Sequence, residues 1–282
     1  MTVADLVGAL KLEPIGTHRY RADNAATHQS GGVVFGGQLL GQLAAAAAAT
    51  EPAKQIKTVQ AVFARAAVVS APVEIEVEVI QSGRSFASQH LTVWQGDKVC
   101  AQALALLSAP DPDLIRHGTP MPEVGRPEAA MPLEDGFPGR EVRVVGGVDP
   151  AGDAPGQRMY AWIRFPDAPA DPGTTVGLLA HDTAAFTLAG AMRAHPELST
   201  EGAHSSLSVG IMTQSVTYHE ITRPSDWILV AIESIYAGQG RTYGRGDLFN
   251  QQGGLVASYV QDGMVRHFDQ AQAGKVPSAA RI

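Results

Sequence analysis

Residues 83–106, GRSFASQHLTVWQGDKVCAQALAL, and residues 240–263, GRTYGRGDLFNQQGGLVASYVQDG, are one stretch written twice, matching without a gap at an offset of 157 residues. Gly83, Arg84, Ser85 and Phe86 fall on Gly240, Arg241, Thr242 and Tyr243; Leu91, Gln95, Gly96 and Val99 fall on Leu248, Gln252, Gly253 and Val256. A self-match of this extent means one structural unit used twice. The copies are unequal. At this offset Leu104 of the first copy meets Gln261 of the second.

Around the repeat, each half has the same order of elements. In the first, HRYRAD (18–23) reads as a strand and 24–32 as a loop. FGGQLLGQLAAAAAA (35–49) is apolar nearly all round, as a buried helix is, and Pro52 lies beyond its end. Four β-rich segments follow, at 58–66, 73–81, 85–95 and 99–107. Glu74, Glu76 and Glu78 alternate with Ile75, Val77 and Val79, the period of a half-buried strand. QGDK (95–98) reads as a hairpin turn. In the second half, YAWIRF (160–165) is a strand and 178–194 a helix. Strands are expected at 206–220, 227–236, 240–250 and 254–263. The helices superpose at an offset of 145, which places Asp182 on Gly37. One strand, a long buried helix and four strands make an α+β unit in which an antiparallel sheet wraps a helix. Two such units pairing edge to edge would protect the edges that each exposes alone. The expected division is 1–109, a proline-rich linker at 110–157 with one short strand at 141–147, and 158–282. The tail after Asp269 is expected to fray.

Composition narrows the function. The chain has 282 residues, 45% hydrophobic and 17% charged, with a formal charge of −7. No cluster of Lys or Arg suggests a nucleic-acid face. A lone cysteine, Cys100, rules out an internal disulfide and fits a reducing cytoplasm. The N-terminus has no positively charged lead to an apolar run, so no signal peptide is expected. The most apolar stretch, Leu39 to Ala49, is too short to span a bilayer. His219-Glu220 lacks the second histidine of a zinc HExxH helix, no GxSxG occurs, and Gly238, Gly240 and Gly244 lack dinucleotide spacing. No metal or cofactor is expected.

The helix entry FGGQLLGQ (35–42), the GRSF segment (83–86), the QGDKV hairpin and the ending LVASYVQDGMVR (255–266) resemble the bacterial type II acyl-CoA thioesterases, the TesB-like family. The similarity runs from about Leu12 to Arg266, interrupted in the proline-rich stretch. It implies a tandem double hotdog, each unit an antiparallel sheet wrapped around a long buried helix. It also implies hydrolysis of fatty acyl-CoA to a free acid and CoA, by a water that an Asp, a Gln and a Thr or Ser orient. The Asp falls on Asp182 in LLAHDTAAF and the Gln on Gln261. The hydroxyl position falls on Ile211; Thr213, two residues on and therefore on the same strand face, is the candidate hydroxyl.

The chemistry of these residue types agrees with such a reaction. A carboxylate can take the proton of an attacking water. A glutamine holds a water through both a donor and an acceptor without titrating. Backbone N–H groups at a helix start can face an oxyanion, and Gly36 and Gly37 permit close approach of a ligand. Gly83, Arg84, Ser85 and Phe86, with Arg241, complete the candidate substrate-binding set; arginines such as Arg84, Arg241 and Arg245 suit CoA phosphates. The plainer alternatives are a carboxylate favouring a helix dipole for Asp182, a surface strand residue for Gln261, an ordinary strand threonine for Thr213 and solvated arginines. At the level of the whole protein the alternatives are a non-hydrolytic acyl-CoA or acyl-lipid binder and, through His181-Asp182, a hydratase-type hotdog. The partners expected are acyl-CoA and further copies of the chain, as a homodimer or a dimer of dimers.

Overall fold

A computed structural model describes residues 1–26, 32–146, 158–193, 195 and 207–267. Thirteen strands form one sheet: β1 (Glu13–Gly16), β2 (Arg19–Ala22), β3 (Gln55–Phe63), β4 (Val73–Ser82), β5 (Phe86–Gln95), β6 (Lys98–Ser108), β7 (Met131–Pro132), β8 (Glu141–Val144), β9 (Arg158–Arg164), β10 (Leu207–Tyr218), β11 (Ile228–Gly238), β12 (Arg241–Asn250) and β13 (Leu255–His267). Their order is β1-β2-β4-β5-β6-β3-β10-β13-β12-β11-β9-β8-β7, and every pairing is antiparallel. The halves join where β3 meets β10, from Val62 opposite Thr213 to Thr58 opposite Thr217. This seam gives each half's open edge a partner, as expected from the repeat.

The α-helices among the described residues are α1 (Val3–Leu10), α2 (Gly36–Thr50), α3 (Pro172–Ala185) and α4 (Thr187–Arg193). The short α1 has a capping box between Thr2 and Asp5 and buries Leu6 and Leu10. Helices α2 and α3 lie side by side and antiparallel. The start of α2, at Gly37, meets Ala184 near the end of α3, while Gly41 meets Gly177. A Cβ on Gly41 would lie 2.7 Å from the carbonyl oxygen of Gly177 and 3.0 Å from Leu10 Cδ2. Small residues therefore set the helix spacing, and the alanines after Gly41 extend the same close contact.

Three expectations change. The second helix starts at Pro172, six residues before the expected 178, because Asp171 caps it by accepting from the Thr174 N–H and Pro172 occupies its first turn. Matched by their first residues, α2 and α3 are offset by 136 rather than 145. Asp182 is thus in the last turn of its helix, whereas Gly37 is in the first turn of the other. Second, the pairing of Leu104 with Gln261 is one residue out. The ladder slips at Cys100 in β6 and at Val256 in β13. Counted from these bulges, Gln261 corresponds to Ala105, which is 4% exposed, while Leu104 is 51% exposed on the outer face. A slip of one residue moves a side chain to the other face. Third, the proline-rich stretch is not only a linker: its expected short strand, β8, pairs with β9 at the sheet edge, and a further strand, β7, pairs with β8. Its residues 147–157, loop residues 27–31 and the tail beyond 267 lie outside the described residues.

Replacing Gly41 by Ala should push against the Gly177 carbonyl and cost about 1–3 kcal/mol. Urea unfolding measures this; a variant as stable as the parent would show that the two helices are not so closely packed.

Candidate active site

The site forms where the start of α2 meets the end of α3. Phe35 is the residue before α2, and among the described residues no N-cap side chain bonds to this helix start. Its first residues, Gly36 and Gly37, lie against strand β10 and the end of α3. A Cβ on Gly37 would meet Ala184 Cβ and the His181 carbonyl, each at 2.8 Å, and one on Gly36 would lie 3.3 Å from Ile211 Cδ1. Both positions must stay small for the backbone to come this close. An uncapped helix start favours negative charge.

Beneath this junction three buried polar side chains are linked. Gln214 Nε2 donates to Thr183 Oγ1 at 2.7 Å, and Gln261 Nε2 donates to Gln214 Oε1 at 2.8 Å. Gln261 Nε2 also approaches the Ala184 carbonyl at 3.4 Å, and the Thr183 hydroxyl donates to the Ala180 carbonyl at 2.7 Å. Gln214 and Gln261 are cross-strand partners on β10 and β13, so the sheet fixes their spacing. The remaining acceptor, Gln261 Oε1, is buried with no partner among the described residues. A buried acceptor left unpaired is costly unless something arrives to donate to it.

Asp182 lies on a different side of α3. Its Oδ1 accepts from Arg140 Nη1 at 2.9 Å and faces His181 Nδ1 at 3.0 Å. Arg140 also pairs with Asp135, at 2.6 Å through Nη2, and its guanidinium lies 4.6 Å from the centre of the Phe137 ring. All three charged groups are largely buried. Arg140, Asp135 and Phe137 belong to the stretch expected to be a linker, which here reaches into the second half. Asp182 also lines a small apolar cavity of about 30 Å³ between α3 and strands β9 and β11, with Leu178, Leu179, Ile163 and Val230. No direct bond joins Asp182 to Gln261.

Other candidates are placed as follows. Thr213 is on the outer face, half-buried between Val62 and Asp262. Its expected shared face with Ile211 fails because the β10–β13 ladder slips between the two residues. Ile211 and Gln214 face the helices, and the hydroxyl beside the glutamines is that of Thr183. Gly83, Arg84, Ser85 and Phe86 form the exposed turn between β4 and β5, with Phe86 57% exposed. Arg241 is paired with Asp262 through Nε at 3.1 Å, and Arg245 with Glu233 through Nε at 2.9 Å. Nothing in the spacing of Gln214, Thr183 or Arg140 marks them in the sequence. The Asp171-Pro172 cap was the signal for the helix that positions two of their partners. Among the described residues no cluster of three His, Cys, Asp or Glu side chains is placed to hold a metal, and no helix is long and apolar enough to cross a membrane.

Replacing Arg140 by Ala would leave Asp135 and Asp182 buried without their counter-ion. A loss of about 3–5 kcal/mol is expected, read from the urea midpoint at neutral pH; a loss below 1 kcal/mol would show that water reaches these carboxylates.

Comparison with known proteins gives the family. Residues 24–108 match the model described as acyl-CoA thioesterase N-terminal domain, and residues 115–265 that described as acyl-CoA thioesterase C-terminal domain. Acyl-CoA thioesterase 2 of Haemophilus influenzae is 26% identical over 285 residues, covering 93% of this chain and 97% of that protein. Acyl-coenzyme A thioesterase 8 of Homo sapiens is 25% identical over 269 residues, covering 86% of this chain and 83% of that protein. Among solved structures, the tesB protein of Mycobacterium avium subs paratuberculosis superposes with a TM-score of 0.81 at 23% identity, covering 94% of this chain and all of that one. An acyl-CoA thioesterase II from Mycobacterium marinum gives 0.79 at 25% identity, covering 94% of this chain and 99% of that one. The chain belongs to the TesB-like type II acyl-CoA thioesterases and has their double-hotdog fold.

Proposed function

We propose that this chain hydrolyses the thioester of acyl-CoA, giving a free acid and CoA, at the junction of α2 and α3. The observation that carries the reading is Gln261 Oε1, buried without a partner among the described residues, near a helix start that the Phe35 side chain does not cap. A water donating to that oxygen would be held next to the N–H groups of Gly36 and Gly37, which can receive the negative charge that develops on the thioester oxygen. Gln214 holds the Gln261 amide in this orientation, and Thr183 holds Gln214. In this reading the hydroxyl of the arrangement is Thr183 rather than Thr213, and Asp182 supplies the carboxylate one helix position away.

A second reading, an acyl-CoA binder without turnover, is favoured by Ile211, which puts an aliphatic side chain at the family's hydroxyl position. Thiol release from butyryl-, decanoyl- and palmitoyl-CoA separates the two. Turnover that Gln261→Ala lowers by about 10²–10³-fold supports the first. Binding without thiol release establishes the second.

We further propose that the chain acts in the cytoplasm as a homodimer or dimer of dimers. Exposed Val62, Leu104, Leu106 and Val260 lie on the outer face of β3, β6 and β13, near the centre of the sheet, and they support burial against another copy. Sedimentation at micromolar concentration should give a dimer or tetramer; a monomer throughout would overturn this.

A further inference from the structure

We propose that Thr183 is a positioning residue that decides, through Gln214, which end of the Gln261 amide meets the attacking water; this deepens the hydrolytic reading above and rests on it. A glutamine amide offers donors at one end and an acceptor at the other, so its direction is a chemical choice. The choice begins in α3. The Ala180 carbonyl has no proton to give, so the Thr183 hydroxyl, 2.7 Å from it, donates. Its one proton is then spent, and Thr183 Oγ1 can meet Gln214 only as an acceptor.

Each further bond inherits that direction. Gln214 turns its NH2 end to Thr183, at 2.7 Å, and its Oε1 therefore faces Gln261. Gln261 Nε2 donates to that oxygen at 2.8 Å. Nε2 also lies 3.4 Å from the Ala184 carbonyl, so a second carbonyl of α3 favours the same direction. With the NH2 end of Gln261 engaged twice, Oε1 is the end left over, buried and without a partner among the described residues. Reversing Gln261 alone would set its oxygen against Gln214 Oε1 and the Ala184 carbonyl. Reversing both glutamines would set Gln214 Oε1 against a hydroxyl oxygen whose proton is already committed. Thr183 is 0%, Gln214 2% and Gln261 1% exposed, so either mismatch would stay unpaired and costly.

The direction bears on the chemistry. A water that donates to Gln261 Oε1 keeps its lone pairs for the thioester carbon, whereas a water held by an amide N–H would spend one of them on that bond. The two parts of the arrangement have separate sources. Gln214 and Gln261 are cross-strand partners on β10 and β13, so the sheet sets their distance. Thr183 sets only their sense, from the helix. On the strand, Ile211 at the family's hydroxyl position has no proton to offer.

The test is a double-mutant cycle on thiol release from decanoyl-CoA with the wild type, Thr183→Val, Gln261→Ala and the two combined, each checked for folding by its urea midpoint. Valine keeps the branched shape and removes the hydroxyl. Thr183→Val should lower kcat by about 10–10²-fold with KM little changed. Thr183→Ser, which keeps the hydroxyl, should recover most of that loss. Beside Gln261→Ala, Thr183→Val should cost nothing further, because no amide is left to direct. A merely structural threonine would cost the same in both backgrounds. If Thr183→Val does not fold, Gln214→Met takes its place in the cycle with the same expectation. A folded Thr183→Val, or Gln214→Met in its place, that keeps the wild-type kcat or whose loss recurs in full beside Gln261→Ala overturns this inference and leaves hydrolysis standing. A Gln261→Ala that keeps its turnover, or a wild type that binds decanoyl-CoA but releases no thiol, overturns the hydrolytic reading and this inference with it.

Discussion

The close contact of α2 with α3 is the constraint on which the rest of the molecule depends. Gly41 against Gly177, and Gly37 against Ala184, let two helix backbones meet with almost no side chain between them. One sheet can then wrap both helices, and its seam at β3 and β10 can close over them. The same contact brings the first turn of α2 to the last turn of α3. A wider spacing, with ordinary side chains at these positions, would separate Gly36 from Ile211 and Gly37 from His181 and dissolve the junction.

The pairing of two similar halves offers two such junctions, and they differ. At the one described, α2 begins without a cap and with two glycines. At the other, Gly173 comes near Ala45, but Asp171 accepts from the Thr174 N–H of α3 and Pro172 has no N–H to give. Each half nevertheless keeps a buried glutamine aimed at a helix carbonyl: Gln89 at Ala47, 3.3 Å, and Gln261 at Ala184, 3.4 Å. The glutamine has changed strands between the halves. Gln89 stands on β5 beside Ala105, whereas Gln261 stands on β13 beside Gly244. The polar side chain persists while the helix start that could cooperate with it is open in only one place.

Around the open junction, charge is buried at some cost. Arg140 leaves the proline-rich stretch to sit between Asp135 and Asp182, under Phe137 and Phe186. Such clusters seldom add stability over an apolar core, but they fix geometry. Here the geometry fixed is that of the Asp182 carboxylate and, through it, the His181 ring. A segment between the two halves thus takes part in arranging the end of α3.

The amino-acid sequence by itself determined the repeat, the α+β class, the family and the alanine-rich buried helix. Each rests on local pattern: alternation along strands, apolar residues all round a helix, and repeated letters. It also pointed to Gln261, Gly36 and Gly37, which the tertiary structure brings to one junction. Asp182 stands apart from them, and Thr213 faces outward. The tertiary structure alone decided these placements, because bulges and helix starts set them. One slipped residue between Ile211 and Thr213 reverses a strand face, and a cap at Asp171 moves Asp182 from the beginning of a helix to its end. Neither leaves a periodic trace, since a ladder's register depends on the strand across from it, and that neighbour is chosen only when the chain folds.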